Sequence, residues 1–184
     1  MSVHVPGTMP IDSRLALTEY REELQRLALF LTGDKKLAQV CVVNACRLAE
    51  TYNDSFLEWL QHWARRATIA SAIKLQQVEI SELSTSYEKR PCPHRVHATL
   101  SPGEIELLRA QPQDCAVRFD LLNRFALVMF GVEKYAPQQS ALMLGVNETA
   151  FAAAYCAALE SLKTIAGRSW TRRPEAPGCA GWKR

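Results

Sequence analysis

The sequence has little that points to catalysis, to a membrane or to oxidised cysteines. No apolar run approaches the roughly 20 residues of a membrane-spanning helix. The N-terminus lacks the charged-then-apolar pattern of a signal sequence, so the cytoplasm is the expected compartment. Six cysteines (Cys41, Cys46, Cys92, Cys115, Cys156, Cys179) form no CxxC pair and no regular framework. Reduced thiols follow, with Cys41, Cys46 and Cys156 acting as small hydrophobes among Ala, Val and Leu. No nucleophile–base pair, carboxylate pair or Gly-rich phosphate loop occurs at a motif-like spacing, so neither enzymatic activity nor a cofactor is expected. Cys92, His94 and His97 place three possible metal ligands together. A closed zinc site needs a fourth and a paired spacing, and the sequence offers neither.

Positive charge is also scarce outside one end. The 184 residues carry a formal charge of +3. From Thr164 onward Arg168, Arg172, Arg173, Lys183 and Arg184 face only Glu175, so the rest of the chain is nearly neutral. A basic tail on a neutral body is the pattern, and the tail offers contacts to nucleic acid or to an acidic protein face. With 48% hydrophobic and 22% charged residues, a packed core is expected.

The apolar spacing predicts an all-α protein. Met1 to Asp12, with Pro6, Gly7 and Pro10, reads as an arm. Helices are expected from about Leu15 to Thr32, from Lys35 to about Tyr52 behind an Asp34 cap, and from Phe56 to about Gln77. The second, rich in Val, Ala, Leu and Cys, is buried on several sides or presents a contact surface. The third interleaves Trp59 and Trp63 with Arg65, Arg66 and Lys74. Rings for base stacking beside cations for phosphate suit single-stranded nucleic acid, and the same pattern also suits a helix with buried tryptophans. Val78 to Asp114, rich in Ser and Pro, reads as a linker holding one short helix, Glu104 to Ala110, opened by a Ser101–Glu104 capping box.

The stretch from Phe119 to Lys163 organises the remainder. An apolar helix begins near Leu121 and ends near Gly131, and Pro137 opens a short helix. Gly145 supplies a turn with positive φ, and Asn147 caps a longer helix. Short helix, Gly turn and capped helix make a helix-turn-helix pattern, which any small helical bundle can also contain. Its second helix, Glu148 to Lys163, has two acids and one lysine.

Leu31-Thr32-Gly33-Asp34, then Leu37-Ala38, then Phe56-x-x-Trp59-Leu60-x-x-x-Ala64-Arg65 resembles region two of bacterial sigma factors of the extracytoplasmic-function group. Arg124-x-Ala126-Leu127-Val128, Tyr135, Ala141, Leu144-Gly145-Val146 and Asn147-Glu148 resemble region four in the same order. The resemblance implies two small helical domains, at 13–79 and 114–167, joined by a linker at 80–113, and the basic stretch at 168–184, with its Pro, Gly and spaced Arg, reads as a disordered tail. It also implies docking on core RNA polymerase, binding of promoter DNA and an anti-sigma protein as a further candidate partner. Carried over residue by residue, DNA contacts fall on Trp59, Trp63, Arg65, Arg66, Lys74, Gln138, Gln139, Asn147, Thr149, Ala153 and Lys163. Polymerase contacts fall on Leu37, Gln39, Val40, Val43, Asn44 and Arg47.

The chain departs from the family on both faces. Where the family carries an acidic pair and then Gln-Glu, this chain has Gln39-Val40 and Val43-Asn44. Where the recognition helix usually carries Arg or Lys, it has Ala152, Ala154, Ala157, Leu159 and Glu160. Two further readings therefore stand beside a working sigma-like factor. One is a diverged interaction module that no longer recognises promoters, and the other a stand-alone helix-turn-helix regulator.

Overall fold

The computed structural model describes residues 11–51, 57–90 and 99–171, and every regular element in them is helical. Helix α1 (Ile11–Thr32) ends at Gly33, whose φ of 68° is readily adopted only without a Cβ. Asp34 caps α2 (Lys35–Thr51), its carboxylate accepting from the backbone N–H of Lys36 and Leu37 at 2.7 and 2.9 Å. Helix α3 (Leu57–Tyr87) is the longest element, interrupted by non-helical geometry at Gln76.

The extent of α3 differs from the expectation of a linker from Val78. Ile80, Ser84 and Tyr87 recur at helical spacing and are buried, so one more stripe faces the core. The Ser and Thr residues that suggest a loop turn inward on their own helix. Ser84, Thr85 and Ser86 donate to the carbonyls of Ser81, Glu82 and Leu83 at 2.7–2.9 Å, removing their competition with the helix.

Two short helices, α4 (Pro102–Ala110) and α5 (Pro112–Ala116), lead back across α1. The Ser101–Glu104 capping box is formed as expected: Glu104 N–H donates to Ser101 Oγ, and Ser101 N–H to Glu104 Oε2. Helix α6 (Leu121–Ala126) continues as a π-helical segment, Leu127–Val132, so the helical run ends next to Gly131 as expected. A Cβ at Gly131 would sit 2.7 Å from Leu100, so this glycine also serves close packing.

Helix α7 (Pro137–Leu144) and helix α8 (Glu148–Thr171) meet at 105°. Gly145 between them has φ 68°, Val146 N–H returns to the Ala141 carbonyl at 3.0 Å, and Asn147 Oδ1 caps α8 by accepting from Ala150 N–H at 2.6 Å. Helix α8 continues through 168–171, beyond the expected end of its domain.

The buried residues form one contiguous cluster drawn from both segments. Leu24, Ile69 and Ile80 of the first share it with Phe125, Phe151 and Tyr155 of the second. Phe30 and Phe119 meet edge to face with centroids 6.1 Å apart, and Phe130 meets Tyr155 at 4.9 Å. Helix α3 packs against α1 and α2 and also against α6, α7 and α8. Among the described residues, no single helix is long and apolar enough to cross a membrane.

Candidate partner and nucleic-acid interfaces

On α2 the outward stripe consists of Lys36, Gln39, Val40, Val43 and Arg47, all exposed. Val40 and Val43 leave 42% and 39% of their surface in water. Their neighbours Ala38, Cys41, Val42 and Ala45 are fully buried, so the helix is amphipathic in the ordinary sense but carries extra apolar residues outside. Leu37 is half-buried at one edge of the stripe. Asn44 is half-buried at the same edge, and its amide donates to Ser71 Oγ of α3 at 3.2 Å. All six candidate polymerase residues therefore lie along one side of α2, with Asn44 partly committed to α3.

The α3 candidates do not share one fate. Arg65, carried over as a DNA contact, is an internal tie in the structure. Its guanidinium, 12% exposed, pairs with Glu133, which is 11% exposed, and with Glu23, and lies 3.5 Å from the Tyr20 hydroxyl. Burial works against the Arg65 charge, but hydrogen bonding and attraction from Glu133 outweigh it and hold its pKa above the ordinary arginine value. The π-helical segment is what delivers Glu133: Glu133 N–H returns five residues to the Val128 carbonyl at 2.8 Å. Arg65 also walls a cleft of about 360 Å³ with an apolar floor of Leu27, Phe30, Ile105 and Val128. Its rim mixes Glu22 and Glu106 with Arg26 and Arg109, so no single sign of charge dominates it.

Arg66 and Lys74 are exposed. Arg66 Nε donates to the Tyr135 hydroxyl at 3.2 Å and the guanidinium lies 5.5 Å from that ring's centre. Lys74 borders a shallow groove with Ala70, Gln77 and Met143 between α3 and α7. Trp63 is half-buried, and the Trp59 side chain lies outside the described residues.

Three of the six helix-turn-helix candidates, Gln138, Asn147 and Ala153, are engaged or enclosed. Gln138 Nε2 donates to Glu148 at 2.6 Å. Asn147 uses its oxygen for the α8 cap and its Nδ2 for Glu88 at 2.6 Å, which occupies both ends of the amide. Ala153, carried over as a DNA contact, lies in the interior at 4% exposure. The reason is tertiary: α8 packs against α6, α7 and α3, so the buried arc is wider than one apolar stripe. Glu148, Thr149, Glu160, Lys163 and Thr164 are the exposed residues of α8 among those whose side chains are described, and Ala152, Cys156, Ala157, Ser161 and Ile165 are half-buried. Gln139 is exposed on α7.

Sequence reasoning missed Glu133, Tyr20, Glu23 and Tyr135 as partners of the arginines, and Gln77, whose amide donates to the terminal α7 carbonyl of Leu144 at 2.9 Å. No local pattern announces these pairs, which are separated by more than forty residues. Reduced thiols hold for Cys41, Cys46 and Cys115. Cys156 is disulfide-bonded instead. The Cys92–His97 cluster and the basic tail from Arg172 also lie outside them, and among the described residues no group of three or more metal-binding side chains converges.

Comparison with protein-family models, with curated proteins and with solved structures returns no significant match for this chain.

Proposed function

We propose that this chain is a sigma-factor-like protein of transcription initiation, with core RNA polymerase as its principal partner and promoter DNA as its second. The observation that carries the reading is the outward face of α2. Val40 and Val43 stand in water there, on the helix that the sequence resemblance assigns to polymerase docking. Two β-branched residues on a helix of a folded domain gain nothing by facing solvent, and burying them against a partner stabilises the complex. Arg66 and Lys74 are the exposed cations of α3 and the candidates for promoter phosphates.

Two measurements test this reading. The full chain is expected to co-purify with core RNA polymerase, and a Val40→Asp, Val43→Asp variant to lose polymerase while keeping its helical circular dichroism. Failure of the wild-type chain to co-purify would overturn the proposal. An Arg66→Ala, Lys74→Ala variant should bind single-stranded promoter DNA more weakly, with a salt slope shallower by about 0.7 for each lost phosphate contact.

A second reading has an observation of its own. Arg65 is closed into ion pairs, Asn147 is occupied at both amide ends and Ala153 is interior. These favour a diverged module that docks on a protein and no longer recognises promoters. Retained polymerase binding without sequence-selective DNA binding by the full chain decides for it. A stand-alone helix-turn-helix regulator draws no support from an α8 that is enclosed on most sides.

A further inference from the structure

We infer that the outer face of the α2–α3 pair docks an amphipathic helix of a partner protein, one whose apolar ridge is bordered by Asp and Glu. The inference deepens the docking reading above and rests on it for the choice of face.

Five of the seven large hydrophobics exposed among the described residues belong to these two helices. Val40 and Val43 on α2 are joined on α3 by Leu75, 43% exposed, and Val78, 75% exposed. The two helices run antiparallel: Gln76 reaches the Thr32 carbonyl just before α2 begins, and Ser71 meets Asn44 near its middle. Val40 lies one turn before Asn44 and Leu75 one turn after Ser71, so both fall on the same side of that hydrogen bond. The ridge therefore crosses the groove between α2 and α3, the geometry that receives a third helix.

The charge around the ridge has one dominant sign. Lys36, Val40, Val43 and Arg47 follow the spacing of a single helical seam, with a cation at each end, and all four are exposed. From Lys35 to Arg47 the helix carries no acid. Lys74, next to Leu75, is exposed as well. Asp34 is taken up in capping α2, and the exposed Glu79 and Glu82 lie past Val78 on α3, at the far end of the ridge from Val40 and Val43. Cations around an aliphatic centre select a partner with carboxylates around an aliphatic centre. Nucleic acid would take the cations but leave Val40, Val43 and Leu75 unmatched, and this ridge has no ring on which a base could stack.

The full-length chain is titrated into two fluorescein-labelled helical peptides sharing a leucine ridge, one flanked by Glu and one by Lys, and anisotropy is read at low and high salt. The Glu-flanked peptide is expected to bind roughly tenfold tighter, with the gap closing as salt screens the rim. A Lys36→Glu, Arg47→Glu variant should reverse that preference. Glu at position 36 suits the positive end of α2, so the swap does not threaten the fold. Val40→Asp should weaken both peptides, with circular dichroism unchanged. Equal binding of the two peptides, binding of neither, or indifference to the charge swap overturns the inference. So does displacement of the Glu-flanked peptide by random-sequence DNA at equal concentration. Core polymerase is assayed in parallel. Retention that ignores the charge swap leaves the docking reading standing and sinks this inference. Peptide selectivity without polymerase retention does the reverse.

Discussion

Arg65 and Arg66 are adjacent cations whose surroundings give them opposite roles. Arg65 is enclosed with Glu133, so Arg65→Ala leaves a carboxylate buried without its partner and should cost about 3 kcal/mol in urea denaturation. Arg66 sits at the surface against Tyr135, and Arg66→Ala should cost less than about 1 kcal/mol. Equal losses from the two changes would contradict this assignment. Tyr87 makes a second residue-scale case. Its hydroxyl donates to the Asp120 carboxylate and lies 2.9 Å from Asn123 Oδ1. Burial, and then Asp120, push its pKa above the ordinary tyrosine value. Because the folded state favours the neutral phenol, its stabilisation is complete below about pH 10 and is lost as pH rises towards the raised value. Tyr155, pushed by burial up to about 12, adds in the same direction. Melting temperature should therefore fall more steeply above pH 10 in wild type than in Tyr87→Phe, which should itself be about 1–3 kcal/mol less stable at neutral pH.

At the scale of elements, the turn between α7 and α8 is the most constrained join. Gly145 holds φ at 68°, and a Cβ there would also come within 3.1 Å of the Gln77 amide that closes the end of α7. Gly145→Ala combines left-handed strain with that crowding and should cost about 1–2 kcal/mol. Replacing Gln77 with Ala should remove the crowding part, so the double variant should fall short of the sum of the singles in denaturation. The sequence made this turn legible, since Gly and Asn sit where a tight turn and an N-cap need them. It did not make legible the length of α3, because Ser81 to Ser86 look like a loop until their hydroxyls find their own carbonyls.

For the whole molecule, α3 is the common wall. It carries Arg65 to Glu133, Arg66 to Tyr135 and Gln77 to Leu144, and its far end places Tyr87 on Asp120. A cluster shared by both segments should unfold as a unit. Helical circular dichroism and the fluorescence of the four tryptophans are expected to give superimposable urea transitions. Separate midpoints would show that the two segments are energetically independent.

The sequence by itself determined the all-helical class, the Asp34, Ser101 and Asn147 caps, and the Gly145 turn. Each is a local matter of side-chain oxygens, free N–H groups and allowed φ, readable within a few residues. It also marked α2 as too apolar for a simple surface helix, and Val40 and Val43 are indeed exposed. The tertiary structure alone decided which cations remain outside. Arg65 and Arg66 are alike in type and neighbouring in sequence, and their difference is made by Glu133, delivered from sixty-eight residues away by a π-helical segment. Ala153 is interior for the same kind of reason. A helix's exposed arc is what its neighbours leave uncovered, and α8 has neighbours on three sides.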